Sequence, residues 1–512
     1  MFQTLWKLAY DILDLNNIKE WRRNLIVSHY LYDEADPISI ENYGKRMIGK
    51  TMRQIYEERV DDEIVGEEKS AYVARHENKK YKGGIGNLIE ECWFGYRANS
   101  DAEADFSKAG VELKVTPYLK NKRGFRAKER LVLTMINYME VVKEKDFKHS
   151  HLWDKAQLML LVWYLHISGQ SDMDSTVDYV QLFTPPEEDL RIIQNDYDKI
   201  IGKIRAGKAH ELSEGDTLYL GACTKSASSR NRRQQPYSEI PAKPRAFSFK
   251  NSYMTYVLLH YIMPGRKTYE PIVKSGVGVS DFEQYVMNQI AMGRGKSIEE
   301  LAGQFGIQTK SKNIGAVLAY RLLGVKSNQC EEFEKAGIAV KTIRIMKNGK
   351  IKENMSFPPI RYTELAKETW EDSFFGNYLA DTRFLFVVYR EDEEGIFRLQ
   401  GAQFWNIPTE DLEGDVRSVW QETHDIISQG RLTINKDGRG RYVNNLPKKV
   451  NHSVSHVRPH GRDRNDVASL PEGTHIKLGP GVTWDDDMAY TKQCFWLNND
   501  YILNQLKPEL KE

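Results

Sequence analysis

Apolar positions along the 512-residue chain fall into two successions of elements that match one another. The run Met52-Arg53-Gln54-Ile55-Tyr56 has helical spacing behind a Thr51 cap, and Ser297-Ile298-Glu299-Glu300-Leu301 starts the second half in the same way. A second helix is expected over residues 86–94. A polar turn, Asn99-Ser100-Asp101, and a strand follow it. Val111, Leu113 and Val115 alternate with Glu112 and Lys114, which is the period of a half-buried strand. The apolar run 158–165 predicts another strand, matched by residues 384–389. Each half then places an acidic helix behind a proline, Pro186 or Pro408. Each closes on an aromatic strand leading into a helix, over 247–253 and 495–501.

The two successions are one sequence written twice. Gly86 matches Gly315, 229 residues on, and Gly110 matches Gly337, 227 residues on, so the register drifts by only two. Glu90 and Glu112 in the first copy become Ala319 and Ala339 in the second, while Lys114 persists as Lys341. Strands interleaved with helices predict a mixed α/β fold in two tandem domains, 1–265 and 266–512. The hinge is expected at Pro264-Gly265-Arg266-Lys267. The longer second copy places extra loop residues before its closing strand.

Composition adds little until charge is read locally. The chain is 40% hydrophobic and 28% charged, and its apolar runs are too short to span a bilayer. Four scattered cysteines without a CxxC spacing suit reduced thiols and a cytoplasmic location. With 73 basic against 72 acidic residues there is no global polyanion signal. Residues 221–250, however, hold Lys225, Arg230, Arg232, Arg233, Lys243, Arg245 and Lys250 against the single acid Glu239, and residues 114–130 are similarly basic. Clustered charge on a neutral chain marks a surface for a polyanion.

The candidate chemistry sits on the alternating strand. Glu112 and Lys114, two residues apart, share a face. A hairpin at Lys108-Ala109-Gly110 brings Asp105 beside Glu112. Two carboxylates that close repel unless a cation lies between them, and oxygen ligands of this kind suit Mg²⁺. A hydrated metal with a lysine at hand can hydrolyse a phosphodiester.

Residues 82–90, Lys-Gly-Gly-Ile-Gly-Asn-Leu-Ile-Glu, followed by Asp105-Phe106 and Gly110-Val111-Glu112-Leu113-Lys114, closely resemble the mismatch-repair nuclease MutH and the Sau-type GATC restriction endonucleases, members of the PD-(D/E)xK nuclease class. The resemblance implies that Asp105, Glu112 and Lys114 are catalytic and that Asp105, Glu112 and Glu90 hold Mg²⁺. Aligned from the glycines, the helix acid is Glu90; counted back from Asp105 it is equally Glu91, and Glu90 is preferred. Lys155 falls either near the scissile phosphate or among ordinary surface lysines. Lys225, Ser226, Ser228 and Arg230 fall in the family's base-reading loop, and Arg458 and His460 in the matching place of the second copy. One intact and one degenerate domain imply a type II enzyme cutting double-stranded DNA at GATC, with the second domain binding another site as an effector. A DNA methyltransferase of the same specificity is the implied functional partner. A repair nickase and a non-catalytic DNA-binding protein on the same fold are the alternatives.

Two motifs point elsewhere and are set aside. Gly44-Lys45-Arg46-Met47-Ile48-Gly49-Lys50-Thr51 fits GxxxxGK[ST], but residues 37–43 make a poor buried strand and helix capping explains Thr51. His452, His456 and His460 recur every four residues. Pro459 and Gly461 spoil the helix that would align them, which favours a His/Arg-rich DNA-contact loop over a zinc site.

Overall fold

The structure, a computed structural model, describes residues 31–58, 72, 74–75, 84–96, 103–121, 124–167, 169–226, 230–263, 265, 269–274, 279, 281–308, 313–370 and 373–512. The chain groups into two units, Met1–His210 with Ala222–Thr268, and Glu211–Gly221 with Tyr269–Glu512. Of the expected hinge only Gly265 is described, and the polar turn expected at 99–101 lies outside the described residues.

In the first unit, α1 (Pro37–Lys45) follows an Asp36 cap. α2 (Met52–Glu57) is held by a reciprocal capping box between Thr51 and Gln54. Lys50 pairs with Glu58 at 2.7 Å and Gly44 lies inside α1, so the phosphate-loop motif is two helix ends. α3 (Gly84–Leu88) starts two residues before the expected helix and passes into a π turn, Ile89–Phe94, ended by left-handed Gly95. Then come β1 (Glu112–Asn121), β2 (Gly124–Ala127), β3 (Leu131–Met135), α4 (His151–Ala156), β4 (Met159–Leu165), β5 (Val177–Phe183) and α5 (Glu187–Arg205). β6 (Leu220–Thr224, of which 222–224 group with this unit), β7 (Arg233–Gln235), β8 (Ser238–Ala242), β9 (Arg245–Phe249) and α6 (Asn251–Val257) complete it.

The main sheet has the order β2-β1-β4-β5, with β1 parallel to β4 and the outer pairs antiparallel. β4 is buried over six consecutive residues, the mark of an interior strand covered on both faces. Leu160 and Val162 pack with Ile40, Ile55, Leu88, Phe94 and Leu113. Fully burying one such side chain contributes roughly 1.5–3 kcal/mol. β1 departs from the half-buried expectation: Glu112 is only 3% exposed, because the preceding turn folds back over the strand's start through a Phe106–Val111 bridge.

The second unit repeats this frame. α7 (Ile298–Phe305) carries the matching Ser297–Glu300 capping box. It is followed by α8 (Ile314–Leu322), α9 (Glu331–Ala336), β10 (Ile338–Ile345), β11 (Met355–Pro359), α10 (Phe374–Asp381), β12 (Arg383–Glu391), β13 (Phe397–Trp405) and α11 (Arg417–Ser428). The order β10-β12-β13, with β10 parallel to β12, reproduces β1-β4-β5. Even single bonds recur: Gly49 N–H donates to Val177 O at 2.8 Å, and Gly295 N–H to Leu399 O at 2.8 Å. The extra residues form short strands among β14 (Thr433–Lys436), β15 (Tyr442–Asn444), β16 (Ser455–Pro459), β17 (Val467–Ser469), β18 (Lys477–Leu478), β19 (Ala489–Thr491) and β20 (Gln493–Leu497), before α12 (Asn499–Gln505). The order β11-β20-β16 matches β3-β9-β6 of the first unit.

Candidate active site

β1 and β4 run in parallel register, with Glu112 opposite Met159 and Lys114 opposite Leu161. The Glu112 amide donates to Leu158 O at 3.0 Å, which fixes the strand's first residue. The hairpin at 108–110 forms with Gly110 at φ +64°, a conformation glycine adopts freely. It places Asp105 Oδ2 2.8 Å from the Leu113 amide, and the Asp105 amide 3.4 Å from Glu112 Oε2. α4, capped by Ser150 Oγ on the Trp153 amide, ends just before β4 and delivers Lys155 over the start of β1.

The buried Glu112 carboxylate is gripped from both sides. Lys114 Nζ donates to Oε1 at 2.7 Å and Lys155 Nζ to Oε2 at 3.0 Å. Lys155 is 7% exposed and also donates to the Glu103 carbonyl, so its reading as a surface lysine is corrected. Its headgroup is anchored across the parallel strand pair, 43 residues from Glu112. Asp105 is held above the usual carboxylate range by burial first and the Glu112 charge second. Glu90 is pushed up to about 7, again by burial first and then by Asp105. Glu91 accepts from the Tyr72 hydroxyl at 2.9 Å.

Among the described residues no three acid, His or Cys side chains gather closely enough to hold an ion by themselves. The donor set nevertheless fits Mg²⁺, which keeps several waters and takes one or two carboxylates. Acids whose pKa values are raised by burial and then by one another's charge are what a divalent cation would relieve.

The expected base-reading residues lie apart from these side chains in sequence. Lys225 and Ser226 follow β6 and are exposed, as is Arg230; Ser228 lies outside the described residues. In the second unit the expected loop is a strand. Arg458 lies on β16, its guanidinium 5.0 Å from the Trp496 ring centroid, and His460 meets the same ring at 5.4 Å. β16 pairs with β20, and that pairing prevails over the turn-like Pro459-His460-Gly461 composition. The Lys225 amide donates to Pro244 O and the His460 amide to Lys492 O, both at 2.9 Å, so the two residues are structural counterparts. His456 is buried against Asn498 at 2.6 Å and pushed down to about 4 by burial, so the three histidines form no common face.

At the rear, β10 sets Ala339 opposite Phe384 as β1 sets Glu112 opposite Met159. The family model described as the DNA mismatch repair enzyme MutH matches residues 94–196 and again 323–414. The type II restriction enzyme Sau3AI of Staphylococcus aureus is 37% identical over 460 residues, covering 84% of this chain and 93% of that protein. The chain belongs to the MutH-related type II restriction endonucleases. DNA mismatch repair protein MutH of Vibrio parahaemolyticus is 27% identical over 195 residues, 36% of this chain and 81% of its own. The corresponding protein of Shewanella woodyi is 30% identical over 188 residues, 35% of this chain and 77% of its own. Like its relatives in this endonuclease family, the chain is a site-specific deoxyribonuclease with two tandem MutH-like domains. No helix among the described residues is long and apolar enough to cross a membrane.

Reading the sequence missed two neighbours of the acids, the Glu103 carbonyl and Tyr96. Nothing in the sequence signals the carbonyl. Comparing the two copies residue by residue beyond the acids would have found Tyr96, which faces Val325 in the alignment.

Proposed function

We propose that the first unit hydrolyses phosphodiester bonds of double-stranded DNA at GATC sites with Mg²⁺, and that the second unit binds a further copy of the site as an effector. The observation that carries this reading is the grip of Lys114 and Lys155 on a buried Glu112 beside Asp105, in a frame whose second copy has alanine at the Glu112 position. Asp105, Glu112 and Glu90 would hold the ion. Bound there, it supplies Lewis acidity and a more acidic water. Lys114, which pairs with Glu112 at 2.7 Å, would present its ammonium to the attacking water and the developing phosphoryl charge. Lys155 keeps Glu112 oriented and offsets its charge near the scissile phosphate. The exposed Lys225, Ser226 and Arg230, with Ser228, read base edges in the major groove, for which donors matched to guanine and adenine acceptors are required. Arg458 and His460, gathered on Trp496, are the matching contacts of the effector unit. The enzyme acts in the cytoplasm, where a methyltransferase of the same specificity protects host DNA. A repair nickase is the weaker reading, because similarity to the mismatch-repair proteins covers about a third of this chain and similarity to the restriction enzyme covers 84%.

The test uses plasmids carrying one or two GATC sites. Wild-type protein should cut the two-site plasmid faster in Mg²⁺. Glu112→Ala should cut neither and still bind both in Ca²⁺. Wild-type cleavage by that variant ends the catalytic assignment, and equal rates on the two plasmids end the effector role.

A further inference from the structure

The hydroxyl of Tyr96 lies wholly out of solvent and has no hydrogen-bond partner among the described residues. Its surroundings are those of the acids. Its amide donates to the Glu90 carbonyl at 3.2 Å. Its ring meets Phe106 edge-on at 5.5 Å, and Phe106 stands next to Asp105 and bridges to Val111, next to Glu112. A phenol hydroxyl is protonated at neutral pH and can donate one hydrogen bond.

A buried hydroxyl without a partner destabilises a fold, and such groups are rare enough to call for a cause. Packing does not supply one. The second unit keeps the left-handed glycine, Gly324 at φ +78° against Gly95 at φ +76°, and follows it with a buried Val325. A valine therefore serves the fold at this corner. The hydroxyl is missing from the same copy in which Glu90 and Glu112 are replaced by Ala319 and Ala339.

We propose that Tyr96 is a positioning residue of the cleavage site, its hydroxyl donating to a carboxylate oxygen of Asp105 or Glu90 and so setting the orientation of the acids that take the divalent ion. This rests on the assignment of Asp105, Glu90 and Glu112 as the cleavage site.

The experiment compares the full-length wild type, Tyr96→Phe and Glu112→Ala on a GATC plasmid, under single turnover, across a Mg²⁺ titration. Loss of such a supporting hydrogen bond typically lowers metal affinity or activity about 10- to 100-fold. Tyr96→Phe should therefore cut about 10- to 100-fold more slowly and require more Mg²⁺ for half-maximal rate. Its DNA affinity in Ca²⁺ should be unchanged, and its melting temperature equal or higher. Wild-type rate and Mg²⁺ dependence overturn the proposal, as does a slower rate accompanied by a lower melting temperature or weaker DNA binding. If Glu112→Ala also cuts normally, the site assignment fails; if it is inactive while Tyr96→Phe is normal, only the role of Tyr96 fails.

Discussion

The two halves place the same strand pair at the same register and line it with opposite chemistry. In front, Glu112 is held by Lys114 and Lys155, and Asp105 sits in a turn facing it. Behind, Ala339 occupies the Glu112 position. The counterpart of Lys155 is Ala380 counted from the paired positions Met159 and Phe384, or Tyr378 counted from the Ser373 cap, and neither carries charge. Residues 331–336 have become a helix, and Glu332 accepts from the amides of Ile272 and Val273, both at 2.9 Å. Removing one member of a buried ion pair leaves the other uncompensated, at about 3–5 kcal/mol. An acid and its buried lysine are therefore lost together. Lys341 survives because it can lie over the Phe357 ring, 5.7 Å from the centroid.

The comparison is broken most directly by trying to restore the rear site. Glu112→Ala should lower cleavage by at least about a thousandfold, the scale on which removal of a charge-stabilising group acts. Adding Ala319→Glu and Ala339→Glu to that variant should recover none of it. Glu332 is committed to two backbone amides, and the positions that match Lys155, Ala380 or Tyr378, carry no charge. Recovery of more than a few per cent of the wild-type single-turnover rate would show that acids alone separate the halves.

A smaller effect concerns Glu90, raised to about 7 against an ordinary 4.5. Between these values the native chain binds the extra proton, so this group's contribution to stability falls as pH rises through about 7. Mg²⁺ competes with that proton. Half-maximal cleavage should need up to about tenfold more Mg²⁺ for each pH unit below 7, and the dependence should flatten above it. Mg²⁺ should raise the melting temperature more at pH 8 than at pH 6. Glu90→Gln should lose both dependences, and a Mg²⁺ requirement indifferent to pH in the wild type would remove Glu90 from the ligand set.

Much of this was legible where the signal is local. The caps at Thr51 and Ser297, the alternating strand and the hairpin at 108–110 depend on neighbouring residues, and glycine spacing carried the repeat. Contacts across the parallel crossover were not legible. The sequence left Lys155 open between a residue near the scissile phosphate and a surface lysine because its partner lies 43 positions away. The ambiguity between Glu90 and Glu91 arose from one excess residue, and the helix there takes the wider π turn. Asp105, Lys114 and Glu112 all act on Glu90, and Glu91 bonds Tyr72. At 455–459 a proline and charged residues read as loop, and pairing with β20 made a strand.

The smallest effect separates the two lysines that remain. Lys114 has a carboxylate at 2.7 Å; Lys341, among the described residues, lies over an aromatic face, and burial pushes its ammonium below the usual lysine range. A depressed lysine pKa means that the unfolded chain binds more protons than the native one as pH approaches 10, so this group's contribution to stability rises with pH there. Lys341→Met keeps the stem's length and removes the charge. It should stabilise the DNA-free protein by about 1 kcal/mol at neutral pH, since replacing a buried charge by an apolar group of similar volume is often neutral or favourable. It should also flatten the alkaline rise in stability. Lys114→Met should do the reverse, leaving Glu112 short of a partner and lowering the midpoint of urea unfolding. If the two substitutions change that midpoint in the same direction and by the same amount, the rear lysine is paired after all, and the two halves differ less than their sequences suggest.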